Sequence, residues 1–298
     1  MRRKFLARRT KGEVVFDIVN TIIMIVICFM MLYPVWYTLV NSLNDGTDAM
    51  LGGIYWWPRV FSLDSYKAVF ADSKIFRAFG VSFFRTIIGT TVHVFFTSMV
   101  AYGLSKKYLM GRKYFMAMGT ITLFFSGGLI PTFLLYRSLG LLDRFAVYII
   151  PAMFNFYNLL IFQAFFREIP DALEESAKID GANDFYIFFK IIIPLSKPVL
   201  ATIALFTGVY HWNDYFAGVI FINNPDLQPI QTFLYRVIAE TTSVQMLQNM
   251  PAGIRTTSVT SQTIRLATMI VTTVPVVCVY PFLQKYFVKG MLLGSIKG

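Results

Sequence analysis

Few side chains in this chain of 298 residues have the types and spacing needed for catalysis. Its two histidines, His93 and His211, belong to no HExxH pattern, in which two imidazoles bind zinc and a glutamate acts as the base. Cys28 and Cys278 both lie in apolar stretches and form no CxxC pair. The sequence contains no GxxxxGKS or GxxxxGKT loop for the phosphates of ATP. We therefore predict no catalytic residue, no metal site, no cofactor bound by this chain and no enzymatic activity of its own.

Acidic and aromatic side chains follow an unusual order in residues 169–197, which read IPDALEESAKIDGANDFYIFFKIIIPLSK. Pro170 is suited to the first turn of a helix, and the acidic residues after it would lie near the positive end of the helix dipole. Gly181 follows where a left-handed residue commonly ends a helix, and Asn183 can cap the next one. The pattern predicts two short helices that meet at a glycine. The apolar face of the second, at helical spacing, would comprise Phe185, Phe188, Phe189 and Ile192.

This pair of helices could either lie on a membrane surface or dock into a soluble partner. Interfacial helices are typically basic on their polar face. The first helix instead carries Asp171, Glu174 and Glu175. Anionic lipid would repel these carboxylates, whereas a basic groove on a protein would attract them. The charges favour a docking element, and the interfacial hairpin stays open as the alternative.

The elements that must position these residues are membrane spans. Hydrophobic residues make up 56% of the chain and charged residues 14%, whereas soluble domains carry about 25% charged residues. Apolar runs long enough to cross the hydrocarbon core recur, and none has the short alternating pattern of a membrane β-barrel. Gly127, Gly128 and Pro131 indicate a break in the third run. We predict an all-α membrane protein with six spans, at residues 16–40, 78–105, 114–136, 145–166, 198–222 and 263–282.

Lys and Arg indicate the orientation of these spans. They concentrate before the first span, between the second and third, between the fourth and fifth, and in the C-terminal tail. Because cytoplasmic loops carry such an excess, we predict that both termini are cytoplasmic, with a cytoplasmic segment 1–15 and a transmembrane domain 16–298. The same excess explains the net charge of +11, and without a basic stripe interleaved with aromatics no nucleic-acid binding is expected. The outer loop 223–262 is long for a connector.

Polar residues within the predicted spans are candidates for a transport pathway, because burying them in a membrane is costly. Hydrogen bonds between helices are the alternative role for each of them. Aromatic rings among them could stack on sugar rings. The candidates are Arg85 and His93 in the second span, Asn155, Tyr157 and Asn158 in the fourth, and Tyr210, His211, Trp212, Asn213 and Asp214 in the fifth.

The segment 169–197 resembles the EAA loop of ABC importer permeases. That motif runs E-A-A, three residues, G, nine residues, I-x-L-P, and residues 175–194 reproduce its spacing. Ser176 stands for the first alanine and Ile193 for the leucine, both small changes. Residues 175–182 also match the extended form EAAxIDGA, which sugar permeases favour. On this motif the chain is identified as a member of that family.

Two further stretches resemble the carbohydrate-uptake branch of the same family. Trp212, Asn213 and Asp214 are similar to its WN(D/E) signature, and residues 280–298 resemble its glycine-containing tail. The resemblance covers nearly the whole chain. It is closest to the subgroup that handles oligosaccharides from complex polysaccharides, including uronic-acid polymers such as alginate and pectin.

The resemblance implies a type I ABC importer permease fold, with six transmembrane helices and cytoplasmic coupling helices that sit in a cleft of an ATPase subunit. It implies that Glu175 pairs with a basic residue of that cleft and that Phe185 packs into its surface, while small residues allow close approach. The residues it assigns to ATPase docking are Glu175, Ser176, Ala177, Asp180, Gly181, Ala182, Phe185 and Pro194. The family signature at Trp212, Asn213 and Asp214 implies a substrate pathway or gate there. Asn155 and Asn158 join this predicted set as polar residues within the fourth span.

The resemblance also implies partners and a location. The partners are a second homologous permease subunit, two ABC ATPase subunits that bind ATP and Mg, an extracellular solute-binding protein, an oligosaccharide substrate and membrane lipid. The location is a bacterial cytoplasmic membrane. The alternative is a permease of an ABC importer for a different small solute.

Overall fold

A computed structural model describes residues 10–248 and 260–295, with side chains for residues 10–239 and 260–279. Across these residues the chain is helical, and extended backbone pairs there in one isolated bridge, Asn44 with Phe61. The predicted all-α class is therefore confirmed. Parts of the predicted N-terminal segment (1–9), long loop (249–259) and tail (296–298) lie outside the described residues.

The described chain divides into two compact units. The first contains the residues up to Ala71 together with Thr241–Val271, and the second contains Asp72–Glu240 together with the residues from Thr272 onward. The helices that begin in the first unit are α1 (Lys11–Ser42), α2 (Gly46–Met50) and α3 (Asp64–Ala71).

The N-terminus of α1 is fixed by a reciprocal cap. The Thr10 side chain accepts the Glu13 N–H at 3.3 Å, and the Glu13 carboxylate accepts the Thr10 N–H at 2.9 Å. From Glu13 to the residue before Val40, the apolar side chains of α1 are largely exposed, as suits a helix surrounded by lipid. The helix contains the whole of the first predicted span.

The second unit begins with α4, a helix of 33 residues. Its helices are α4 (Ser73–Ser105), α5 (Arg112–Phe124), α6 (Leu129–Ser138), α7 (Ala146–Ile149), α8 (Phe156–Phe166), α9 (Asp171–Ile179), α10 (Asp184–Ile187), a π-helical turn (Phe188–Ile192), α11 (Ile193–Leu195), α12 (Lys197–Asn213), α13 (Phe216–Phe221), a 3-10 turn (Pro225–Leu227), α14 (Ile230–Gln248) and α15 (Ser261–Ser295). The last two helices extend across both units.

Three described helices are long and apolar enough to cross a membrane by themselves: Lys11–Ser42, Ser73–Ser105 and Ser261–Val279 within α15. The segment Asp184–Leu195 and α12 qualify together as a fourth, with a bend of 82° between them. The third and fourth predicted spans are each divided into shorter helices, none of which is long enough to cross a membrane by itself.

Three predicted spans are interrupted. In the third, α5 ends at Phe124 and α6 begins at Leu129, across the predicted glycine break, where Gly128 has a φ of 82°. The fourth and fifth spans were each predicted as one run of residues, and the structure divides each run into two helices. Residues 150–155, which include Pro151, separate α7 from α8, because proline cannot donate to a helix hydrogen bond. In the fifth, Asp214 is extended, with ψ at 108°, between α12 and α13.

The outer loop predicted at 223–262 contains a helix of 19 residues, α14. The stretch from Ile230 to Gln248 has neither glycine nor proline, and the prolines that could interrupt it, Pro225 and Pro229, both precede it. This region was predicted as a loop from its length alone, and the helix within it was not predicted.

The largest buried core lies where α4, α8 and α12 meet the segment 187–192. Ala101 and Tyr102 of α4, Leu159 and Phe162 of α8, and Ile203 of α12 are among its buried members. A separate cluster joins α7 and α13 through Val147, Tyr148, Phe221 and Ile222. Thus α4, the longest helix described entirely within the second unit, supports the elements that carry the predicted docking and pathway residues.

Candidate coupling site and transport pathway

The predicted pair of short helices is present, and we refer to residues 171–187 as the elbow. The first helix, α9, ends at Ile179, and Gly181 takes the left-handed φ of 81° expected of it. The Ala182 N–H donates to the Ala177 carbonyl at 2.9 Å, which closes the turn. The Asn183 side chain then accepts the Tyr186 N–H at 2.8 Å and caps α10, as predicted.

The outward face of the elbow is partly acidic and partly apolar. Glu175, Ser176, Asp180 and Gly181 are exposed, as is Phe185, with 67% of its surface accessible. Pro194, beyond the elbow, is also exposed. These residues of the predicted docking set are therefore available to a partner.

Ala177 and Ala182 of the predicted docking set are half-buried and pack against the internal core instead of the outward face. Their small size allows the elbow to approach the core closely. Sequence reasoning also missed Ile179, which is 86% exposed on the same face. Its position four residues after Glu175, one helical turn away, was the signal that could have identified it.

The four residues predicted to form one apolar face of the second helix have different surroundings. Phe188 and Ile192 are buried, whereas Phe185 and Phe189 are exposed and the unpredicted Ile187 is buried. The reason is a π-helical turn at Phe188–Ile192, in which side chains follow a wider period than in an α-helix. The Ile193 N–H donates to Phe188 O, five residues back, just before Pro194, which has no N–H to continue an α-helical pattern.

One ion pair attaches the elbow to the chain just after α4, and a second one lies within the elbow. Glu174 pairs with Lys106, just after α4, and both side chains are largely buried. The Lys106 Nζ atom also lies 3.9 Å from the centre of the Tyr102 ring. Lys178 bridges the two elbow helices, since its Nζ atom lies 3.2 Å from the Asp184 carboxylate. Glu174, which was not assigned a role, is therefore an internal anchor, and its neighbour Glu175 stays exposed.

The Lys178 ammonium has a second partner, the hydroxyl of Tyr108, to which it donates at 3.4 Å. Hydrogen bonds to Tyr108 and then to Asp184 raise the pKa of Lys178 above its usual value, against a small opposing effect of desolvation. Lys178 thus contacts Asp184 of the second elbow helix and Tyr108, in a position where water screens the pair with Asp184.

We expect Gly181→Val to distort the elbow and Gly181→Asn to be tolerated. No side-chain or backbone atom lies within 4 Å of a Cβ at this position, so space is not limiting. The left-handed φ is limiting, because it costs roughly 1–2 kcal/mol for most side chains, more for a β-branched one, and least for asparagine. Transport by the valine variant should fall severalfold while membrane abundance is retained, as measured by uptake and immunoblot. Equal transport by both variants would show that the turn geometry is unimportant.

Two of the predicted pathway residues, Asn155 and Asn158, occupy the start of α8. Asn155 caps the helix, since its side-chain oxygen accepts the Asn158 N–H at 3.1 Å. The Asn158 amide lies 2.9 Å from Nε2 of His93, whose Nδ1 lies 2.6 Å from the Ala152 carbonyl. Because a carbonyl only accepts, Nδ1 carries the proton and Nε2 accepts from Asn158. Asn158 and His93 thus have the alternative role, hydrogen bonding between helices.

The signature Trp212–Asp214 lies at the end of α12. The Trp212 indole donates to the Thr272 carbonyl at 3.3 Å and borders an apolar pocket of about 430 Å³ formed by α4, α12 and α15. Asn213 is exposed, whereas Asp214 pairs with Arg85 of α4. The three neighbouring residues therefore point to three different surroundings, and Asn213 is the one whose side chain is accessible.

Comparisons with known proteins agree with this architecture. Residues 73–293 match the family "Binding-protein-dependent transport system inner membrane component". The chain is 47% identical to the polygalacturonan/rhamnogalacturonan transport system permease protein YtcP of Bacillus subtilis, over 81% of this chain and 84% of that protein. It is 40% identical to Protein LplC of the same organism, over 97% of each.

A solved structure is also similar, that of a bacterial ABC transporter involved in the import of the acidic polysaccharide alginate. The TM-score is 0.84 with 30% sequence identity, and the match covers 94% of this chain and 99% of that chain. The chain therefore belongs to the family of binding-protein-dependent transport system inner membrane components, the permease subunits of ABC importers. The predicted family and the predicted type I permease fold are confirmed.

Proposed function

We propose that this chain is a permease subunit through which an oligosaccharide passes from an extracellular binding protein into the cytoplasm. The elbow is the element that receives force, because it is exposed on one face and held to α4 by buried contacts on the other. In this proposal two ATPase subunits, which bind ATP and Mg, dock against the elbows of this chain and of a second, homologous permease. Both termini then lie on the cytoplasmic side, in agreement with the distribution of Lys and Arg.

The proposed substrate class is an acidic oligosaccharide. Two observations support it. The name of a similar permease includes polygalacturonan and rhamnogalacturonan. The similar solved transporter is involved in the import of alginate. Both names describe uronic-acid polymers. The signature Trp212–Asn213–Asp214 supports a carbohydrate in general and does not distinguish an acidic from a neutral one.

ATPase stimulation in a reconstituted importer tests the substrate class. The complex would be assembled in proteoliposomes with its partner permease, ATPase subunits and binding protein, then supplied with oligogalacturonides, alginate fragments and neutral oligosaccharides. We expect stimulation by at least one acidic oligosaccharide. Stimulation by neutral sugars alone would remove the acidic class, and stimulation by a polyamine or phosphate instead would favour the alternative importer for another small solute.

Ile179→Asp tests the docking role of the elbow. This substitution replaces an exposed apolar side chain of the elbow with a carboxylate, which a docked partner would bury without compensation. We expect the ATPase subunit to be lost from the purified complex while the permease still inserts into the membrane. The matched control is Leu51→Asp, at a residue after α2 that is similarly exposed, at 79%, and belongs to the other unit. If both variants retain the ATPase equally, the elbow does not dock it.

A further inference from the structure

Asp214 holds together the two helices of the broken fifth span. Its own N–H donates to the Tyr210 carbonyl at 3.0 Å and completes the last turn of α12. One of its carboxylate oxygens accepts the Ala217 N–H at 3.2 Å and caps the first turn of α13. A single residue therefore determines both where α12 ends and where α13 begins.

Arg85 of α4 binds this same residue at two further points. One guanidinium nitrogen donates to the Asp214 carbonyl at 2.8 Å, and another pairs with the second carboxylate oxygen. Each carboxylate oxygen of Asp214 therefore accepts a hydrogen bond, one from Arg85 and the other from Ala217, and the side chain is only 12% exposed. In this structure Asp214, which lies in the signature predicted to form a pathway or gate, makes its hydrogen bonds to the protein itself.

The guanidinium of Arg85, which binds Asp214, also contacts α7. It lies 4.3 Å from the centre of the Tyr148 ring, and the Tyr148 hydroxyl donates to the Leu227 carbonyl at 2.9 Å. Only 1% of the Arg85 surface is accessible. One fully buried cation thus links α4, α7 and the break between α12 and α13.

The first half of α4 makes further contacts with the segment that follows α13. The Ser82 hydroxyl accepts the Ile230 N–H at 2.8 Å, and Arg77 forms an ion pair with Asp226. At its other end, α4 leads directly to Lys106, the residue paired with Glu174 of the elbow. One uninterrupted helix therefore connects the elbow to the broken part of the fifth span.

Stability alone does not require a charged pair at this position. A buried ion pair can often be replaced by apolar residues of similar volume without loss of stability, since desolvation offsets the attraction between the charges. An intramembrane arginine is more commonly retained for function. The planar guanidinium has a property that an apolar pair lacks: it holds a carbonyl and a carboxylate in one fixed orientation.

We propose that Arg85 is a positioning residue for import, which fixes the break of the fifth span through Asp214 so that displacement of α4 moves this break. The inference rests on the proposed function, because it requires an ATP-driven displacement of α4. The guanidinium acts through Asp214 and touches no substrate.

Labelling of a cysteine beside the break tests the proposal without any substrate. Phe216, the first residue of α13, is exposed and would be changed to cysteine in a chain whose Cys28 and Cys278 are replaced by serine. The rate of maleimide labelling is measured in the complete complex, once without nucleotide and once trapped with ATP and vanadate. We expect the two rates to differ in the chain with Arg85 and to become equal in R85M/D214L, in which neither charge is left unpaired.

R85K provides a second variant that keeps the charge and is expected to fold. An ammonium cannot bind the carbonyl and the carboxylate in the fixed geometry of the guanidinium fork. We expect oligosaccharide transport per ATP hydrolysed to fall about tenfold, within the range typical of altered coupling between sites. An unchanged transport ratio in R85K, or a nucleotide-dependent labelling rate retained in R85M/D214L, would overturn the proposal.

The labelling result separates this proposal from the proposed substrate. If no oligosaccharide stimulates the ATPase but labelling beside the break responds to nucleotide and depends on Arg85, the substrate class is wrong and the positioning role stands. If oligosaccharides are transported but nucleotide never changes the labelling rate, the substrate class stands and the positioning role is wrong.

Discussion

Lys106→Glu is expected to abolish productive coupling of the elbow. The substitution removes the cation that neutralises Glu174 and places a second carboxylate against it, in a site where both side chains are largely buried. Removing one partner of a buried ion pair costs roughly 3 kcal/mol, and repulsion between the carboxylates adds to this. We expect the elbow to leave its seat on the core, with loss of the ATPase from the purified complex and loss of transport.

The control for this prediction is the neighbouring lysine. Lys107 approaches Asp171 of the same elbow helix at 3.7 Å, but the two side chains are 91% and 82% exposed. Water screens such a surface pair, so Lys107→Glu should leave ATPase retention and transport nearly unchanged. The double variant Lys106→Glu with Glu174→Lys exchanges the two charges of the pair, and it should recover much of the lost ATPase retention and transport. Equal behaviour of the two single variants would show that the buried pair does not hold the elbow.

Gly89→Ala is expected to destabilise the packing of α4 against α12. A Cβ at this position would overlap the ring of His211, which is completely buried on α12. Small residues allow helices to approach closely in membranes, and insertion of a methyl group into a packed interface costs about 1–3 kcal/mol. We expect a lower thermal stability in detergent and reduced abundance in the membrane.

Gly103→Ala is the matched control for this second prediction. It changes the same residue type in the same helix, at a position where a Cβ would meet no atom within 4 Å. Because alanine is favoured over glycine in a helix by about 1 kcal/mol, this variant should be neutral or slightly more stable. The double variant Gly89→Ala with His211→Ala should lose less stability than the sum of the losses in the two single variants, because both changes affect the same contact. Equal stability of the two glycine variants would refute the close contact.

The elbow could be predicted from sequence because its determinants are local. A capping asparagine and a left-handed glycine act on the few residues beside them, and both predictions agree with the structure. Pro170, predicted in the first turn, lies one residue earlier, at the N-cap of α9. The inward orientation of Ala177 could not be predicted in this way. It depends on which face of α9 the core covers, and that core comes from α4, α8 and α12, far away in sequence.

The breaks in the third and fifth spans also differ in whether their cause lies close by in the sequence. Gly127 and Gly128 predict the break in the third span, because a residue without Cβ readily adopts a positive φ such as the 82° of Gly128. The break in the fifth span has no glycine or proline beside it. It is stabilised by Arg85, which lies 129 residues away along the chain, and apolar runs alone predicted a continuous helix.

The sequence by itself determined the membrane class, the family and the local form of the elbow, because composition, motif spacing and helix capping act at short range. Only the tertiary structure decided which polar residues are exposed and which bind each other. Glu174 and Glu175 are adjacent and chemically alike, yet one is paired with Lys106 and the other is exposed. Asp214 lies in a signature that suggests substrate contact, yet Arg85 occupies it. Burial and ion pairing depend on helices meeting in space, which spacing along one chain does not specify.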